Sequence, residues 1–361
     1  MHESTEGGAR FTADVRAIAS ADMEVFYNPL MRENRDMSLL VLSWLLSTRT
    51  PRRLVFPMAA SGVRPLRMLE ELDVPACEVL INDADPRAVA SARSSLELNE
   101  RASSWNGAIR FSRSSAQELL STTHADYVEI DPYGSPLPFL DAAIRCVTHR
   151  GILAVTATDT AALCGTYPKT GLRKYHAFTK RNPLMHEHAV RILAAVVERD
   201  AARYGKAARI VFAYAHLHYI KLFFEVTTSR SHAYRLVSEA EYWDVDATGY
   251  PIERRILAQG RGEGMIGPLS PQPLVDPSLI EHAATTKAQL SERSRRSLEL
   301  IGSEGPGYTI DLHALASELE LSSVPKTSLV LGRLPGATRT QFSDTAIRTS
   351  LPRTQVCEAM R

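Results

Sequence analysis

The sequence predicts an α/β protein. A sheet of parallel strands closes with an antiparallel hairpin, carries helices on both faces and is followed by a smaller α+β domain. Three observations carry this prediction. Between about residues 36 and 159, apolar extended runs alternate with helical stretches, the pattern of βαβ units. In "ARIVFAYAHLHYIKLFFEVTT", two apolar runs lie about four residues apart, which predicts a hairpin. Near residue 230 the composition shifts to Gly, Pro, Arg and acidic residues, which marks a boundary.

Each element has its own signal. "DMSLLVLSWLLS" is apolar at helical spacing and opens on Asp36, a plausible cap. "RRLVFPM" is a buried strand that runs through the small-residue turn "AASG" into a helix, "VRPLRMLEEL". "CEVLIND" and "DPRAVASARSSLELN" repeat the strand–helix unit; "AIRFSRS" with "AQELLS" does so more weakly. "ADYVEID" and "LPFLDAAIRCV" form the next unit, and "GILAVTATD" is a fifth strand. Five parallel strands plus a hairpin make a seven-stranded, Rossmann-like sheet, the layout of class I methyltransferases; a dinucleotide-binding domain would continue with a sixth parallel unit. Residues 1–228 are expected to form this domain and 229–361 the second, with helices near 281–300 and 310–333 and a short β-ribbon at the end.

Composition narrows the function classes. The chain has 361 residues, 44% hydrophobic and 23% charged, an ordinary globular balance. No apolar run could span a bilayer, and the first ten residues hold no signal-peptide core, so a cytoplasmic protein is expected; nothing in the sequence suggests an obligate oligomer, so a monomer is expected. The four cysteines show no metal-knuckle spacing. A net charge of +1 means that a nucleic-acid partner would need a local basic surface.

Four stretches carry candidate chemistry. In "AASGVR", Ser61 and Gly62 let the backbone approach a ligand, and the helix start behind them offers N–H groups. Asp83 ends the second strand about 20 residues later, where a carboxylate can accept from ribose hydroxyls; capping of the next helix is the alternative for Asp83 or Asp85. "DPYG" at 131–134 ends the fourth strand, at the crevice edge of an open α/β sheet. It resembles the (Asn/Asp)-Pro-Pro-aromatic motif of amino-group methyltransferases, one residue shorter. The resemblance implies that Asp131 accepts N–H bonds from an exocyclic base amine and localises its lone pair, while Pro132 fixes the turn and Tyr133 offers a face for stacking. The interruption at 158–183 interleaves Lys169, Arg173, Lys174, Lys180 and Arg181 with Tyr167, Tyr175 and Phe178, which suits a phosphate backbone and unstacked bases.

With these residues in place, the sequence resembles the tRNA (guanine-26-N2)-dimethyltransferase family. The matching blocks are "VFYNPLMRENRDMS" (25–38), "AASGVRPLR" (59–67), "NDADPRAV" (82–89), "DPYGSPLPFLDAA" (131–143), "GILAVTATDTAALCGTYPKTGLRKY" (151–175), "MIGPL" (265–269) and "TRTQFSDTAIRTSLP" (338–352). The resemblance implies N2-methylation and dimethylation of a guanine in tRNA with S-adenosylmethionine as donor. It implies Arg35 at the cofactor's carboxylate end, Ser61 and Gly62 along its turn, Asp83 at the ribose, and Ala84, Ser115 and Ala116 near the adenine. It implies Asp131, with Pro132 and Tyr133, as the catalytic group, Phe26 and Tyr27 over the site, and a C-terminal domain that grips tRNA.

Two departures bear on the cofactor. Phe56 stands where the family usually has Asp, and Ser115 where it tends to have another. Fewer charged hydrogen bonds are then expected, each worth on the order of 1.5–3 kcal/mol. Some members carry a four-cysteine zinc site before the "GPL" block; residues 241–264 hold no cysteine here, so no metal is expected. A methyltransferase for another nucleic-acid amine and a tRNA-binding member with weakened catalysis remain open alternatives.

Overall fold

The computed structural model describes residues 2–16, 23–256 and 265–361. A hairpin of β1 (His2–Glu6) and β2 (Ala9–Ala13) opens the chain. A 3₁₀ turn at Pro29–Met31, capped by the Asn28 side chain, leads into α1 (Arg32–Thr48). Alternation follows: β3 (Arg53–Phe56), α2 (Val63–Glu71), β4 (Glu78–Asn82), α3 (Pro86–Glu97) and a short α4 (Glu100–Ser103). Next come β5 (Ala108–Ser112), α5 (Ala116–Thr122), β6 (Ala125–Ile130), α6 (Leu137–Cys146) and β7 (Val147–Ala157). The interruption folds as α7 (Thr160–Leu163) and α8 (Pro168–Tyr175), and α9 (Met185–Ala202) returns to β8 (Lys206–His216) and β9 (Tyr219–Thr228).

The remainder comprises α10 (Arg230–Ser238), β10 (Glu241–Val245), β11 (Pro251–Ile256), β12 (Ile266–Leu269), α11 (Pro277–Ala283) and α12 (Glu292–Gly302). It ends with β13 (Tyr308–Asp311), α13 (Leu312–Glu318), α14 (Thr327–Arg333), β14 (Thr338–Thr340), β15 (Ser343–Thr349) and α15 (Arg353–Met360).

The main sheet has seven strands in the order β5-β4-β3-β6-β7-β9-β8. β3 to β7 are parallel, and β9 and β8 antiparallel. Side chains alternate along each strand, so each strand feeds two cores. Val55, Val128, Leu153 and Leu222 face α5, α6 and α9; Leu54, Tyr127, Ile152 and Phe223 face α1, α2 and α3. The strand order reverses between β3 and β6, which puts a crevice above their carboxyl ends.

Several expectations change in detail. Helix α1 begins four residues before Asp36, because Asn28 and Pro29 start it; Asp36 is fully buried and binds Arg67, Ser291 and Ser294 instead. The β8–β9 connection is two residues rather than four. The stretches near 281–300 and 310–333 break into the pairs α11–α12 and α13–α14.

The division expected near residue 229 falls between β9 and α10, and packing continues across it. Leu279 of α11, and Leu298 and Ile301 of α12, join the core of α1 and α2. Residues 310–360 form a separate cluster around Ile310, Leu315, Val330 and Ile347.

Candidate active site

The turn after β3 is held by the strand beside it. Asn82 donates from Nδ2 to the Pro57 carbonyl (2.8 Å), and its own carbonyl accepts from Ala59 N (2.9 Å). Ala60 and Gly62 both take positive φ, 47° and 73°. A Cβ on Gly62 would lie 2.7 Å from the Ala92 Cβ, so only glycine lets α2 lie this close to α3. Asp83 stands over this turn, accepting from Ala60 N at 2.8 Å and from Asp85 N at 3.0 Å. Asp85, not Asp83, caps α3. Ser61 is buried and Ala84 exposed. Ser115 caps α5 through Oγ, and Ala116 is buried behind it. Phe56 packs inward against the Tyr127 ring, with centroids 5.9 Å apart.

The turn expected to carry catalysis leaves β6 at Asp131. Pro132 is buried, while Tyr133 is 79% exposed. Gly134 N donates to Thr158 Oγ1 (2.7 Å) and Thr158 N to the Gly134 carbonyl (2.9 Å), which pins the turn to the end of β7. From α8, Tyr175 donates to Asp159 (2.6 Å) and sits 3.1 Å from Ser135 Oγ, so the helix is tied to the same turn.

Beneath Asp131 lies a polar network that sequence reasoning missed. Arg64, on the first turn of α2, donates from Nη2 to Asp131 Oδ2 and from Nη1 to Ser38; Nη1 also stands 3.2 Å from Glu129 Oε1. Glu129 accepts from Tyr127 and from Lys221 of β9, and Lys221 donates to Thr156 at 2.9 Å. Burial alone would raise the Glu129 carboxyl, but Arg64 and Lys221 more than offset this and hold it below the ordinary carboxylate value. Arg64 takes Asp131 Oδ2, and among the described residues Oδ1 has no hydrogen-bond partner. A signal was readable: "YVEI" and "YIKLFF" each place one charge in a run that is otherwise uncharged.

Other expected site residues fall elsewhere. Arg35 is engaged by Glu6 through Nε (2.7 Å) and Nη2, and by the Asn28 carbonyl (3.1 Å). Tyr27 is buried beside Phe11 and Arg35, and its hydroxyl donates to Glu6 (2.7 Å). It is thus committed to the interior, and half-buried Phe26 keeps the exposed face. In the basic loop, Lys174 pairs with Asp159 at 3.3 Å. Lys169 and Arg173 are exposed on α8, with no carboxylate partner among the described residues.

The crevice fits an adenosyl cofactor by its donor set. The Asp83 oxygens, each taken once by a backbone N–H, retain lone pairs for ribose hydroxyls. Among the described residues, no group of three or more His, Cys, Asp or Glu is placed to hold a metal; residues 257–264 of the stretch expected to lack zinc lie outside them. No helix among the described residues is long and apolar enough to cross a membrane.

Comparison with known proteins gives the same answer. The model of one family, N2,N2-dimethylguanosine tRNA methyltransferase, matches residues 7–361. A tRNA (guanine(26)-N(2))-dimethyltransferase of Thermococcus kodakarensis is 34% identical, covering 94% of each chain. A tRNA (guanine(26)-N(2)/guanine(27)-N(2))-dimethyltransferase of Aquifex aeolicus is 31% identical, covering 96% of this chain and 92% of its own. The structure of Trm1 from Pyrococcus horikoshii with S-adenosyl-L-methionine superposes with a TM-score of 0.89 over both whole chains, at 29% identity. By sequence along nearly its full length, and by fold throughout, the chain belongs to the N2,N2-dimethylguanosine tRNA methyltransferase family.

Proposed function

We propose that this protein methylates, and dimethylates, the exocyclic N2 of guanine-26 in tRNA, with S-adenosylmethionine as donor. One observation carries the reading: at the carboxyl end of β6, beside the glycine-gated turn, Asp131 is anchored through one oxygen and offers the other. A guanine amine is a poor nucleophile because its lone pair is delocalised into the ring. Asp131 Oδ1 accepts one N–H, aims the lone pair, and takes up the proton that leaves as the new N–C bond forms. The cofactor supplies a methyl group on a sulfonium, and the residues at Ser61, Gly62, Asp83, Ala84, Ser115 and Ala116 would hold it. Arg35 would act at its carboxylate end only by exchanging its bond to Glu6. Pro132 stiffens the turn, and Tyr133 and Phe26 offer faces to the base. Most of the rate gain is then alignment and placed charge.

Asp131→Asn should reduce methyl transfer to unmodified tRNA by on the order of a thousandfold or more, with tRNA affinity nearly intact. Retained turnover with lost tRNA binding would remove the role given to Asp131. Nucleoside analysis of treated tRNA identifies the position and the number of methyl groups.

Lys169 and Arg173, with the 229–361 domain, are proposed to hold the RNA backbone. Changing both to Ala should weaken binding and lower the slope of log affinity against log salt by about 1 to 2. An unchanged slope would return them to plain surface charge. We also read the chain as a cytoplasmic monomer, and light scattering tests the oligomeric state.

A further inference from the structure

Lys221 has no ordinary reason to be where it is. It is 0% exposed as the third residue of β9, between Ile220 and Leu222, which are themselves fully buried. A buried ammonium is tolerated only when paired and hydrogen-bonded. Its partner, Glu129, is equally out of place in β6 and 3% exposed. Tyr127, Glu129 and Asp131 share one face of their strand, and Thr156 of β7 is registered against Lys221. The network is therefore built across three strands and ends at the catalytic turn.

Its charges balance. Arg64 and Lys221 are cations; Glu129 and Asp131 are anions. An Arg64–Asp131 pair alone would already be neutral, so the second pair serves another purpose. Arg64 has three acceptors, Ser38, Glu129 and Asp131, and a planar guanidinium that meets all three has one orientation. Lys221 limits how strongly Glu129 draws on Arg64, because it neutralises Glu129 from the other side. Without Lys221, Glu129 would stand as a buried anion with Arg64 as its only cation and would pull the guanidinium away from Asp131.

We propose that Lys221 is a positioning residue for methyl transfer: by holding Glu129 beneath Arg64, it sets the Asp131 carboxylate with Oδ2 on Arg64 and Oδ1 turned to the substrate amine. The inference rests on the reading of Asp131 as the group that accepts the amine N–H.

The test is steady-state methylation of an unmodified tRNA transcript by Lys221→Met, Glu129→Gln/Lys221→Met and Asp131→Asn, with thermal melting and tRNA binding measured alongside. Lys221→Met should lower kcat by on the order of a hundredfold, since a displacement of about 1 Å costs that much, with little change in KM for tRNA. The charge-balanced double variant should recover about tenfold of that loss without reaching the wild-type rate. A kcat for Lys221→Met close to wild type, with Asp131→Asn inactive, overturns this inference and leaves the role of Asp131 standing. Full activity of Asp131→Asn overturns the underlying reading instead. If Lys221→Met does not fold, the double variant carries the test: a wild-type kcat overturns the proposal, and a roughly tenfold deficit with unchanged KM supports it. A loss confined to melting temperature, with kcat per folded molecule unchanged, also overturns it.

Discussion

Helix α2 places two arginines in two different buried networks. Arg67 binds Glu6, Asp36 and Glu71, and ties the N-terminal hairpin to α1 and to the segment before α12. Arg64, nearly one turn earlier, binds Ser38, Glu129 and Asp131. The Arg67 network is closed: its four side chains are 0–2% exposed. The Arg64 network is closed at Lys221 and opens at Asp131, whose side chain is 17% exposed. The same chemistry thus serves two ends. A network with no opening can only hold elements together, whereas one that reaches a crevice can hold a reacting group in place.

The comparison can be broken by removing the closed centre. Arg67→Met leaves Asp36 and Glu71 without this cation and Glu6 with Arg35 alone, and should cost about 3–5 kcal/mol in denaturant unfolding, while activity per folded molecule stays near wild type. A loss well below that range would mean that the closed network adds little.

Acid titration tests the same region with the next largest effect. Burial would raise the Glu6 carboxyl, but Arg35 and Arg67 more than offset this and hold it at about 2, against an ordinary 4.5. A carboxylate depressed in the folded state contributes stability above its unfolded pKa and loses it as pH falls through the folded value. Stability should therefore decline between about pH 4.5 and 2, by up to about 3.5 kcal/mol from this group at about 1.4 kcal/mol per unit. Glu6→Gln should flatten that limb; parallel curves for the two proteins would show that Glu6 is not its source.

The smallest effect lies at the start of α2, which aims both arginines. Gly62→Ala meets a left-handed backbone and the Ala92 contact, and should cost at least about 1–2 kcal/mol in the unfolding midpoint. An unchanged midpoint would show that α2 can shift without disturbing either network.

Much of this was legible in the sequence. The five parallel strands and the hairpin announce themselves because both faces of the sheet are covered, which leaves nearly unbroken apolar runs. Asp83 and Asp131 are legible because they sit where such runs stop. The β1–β2 hairpin was not, since "HESTEGGARFTA" shows one thin apolar face among polar residues. Its partner is α2 and α3, far along the chain, and no local pattern specifies that docking. The roles of Arg35 and Tyr27 were hidden for the same reason: both meet Glu6, a hairpin residue whose position depends on the tertiary fold. Lys221 was visible as an oddity, but its partner on another strand required the register.

The return of the chain to β8 has a consequence for solubility. β8 is one of the two outer strands of the seven, and an uncovered outer strand invites pairing with another molecule. Here residues 272–276 lie along it: Ala213 N donates to the Leu274 carbonyl at 2.7 Å, and Asp276 N to that of Val211 at 2.8 Å. The Gln272 amide completes the cover, donating to the Ala208 carbonyl and accepting from Ile210 N. A chain cut after residue 228 would keep every group proposed above to act in catalysis, yet it would expose a sticky flank of Ile210, Val211 and Phe212 and should self-associate. The residues after 228 would thus guard those before them against aggregation.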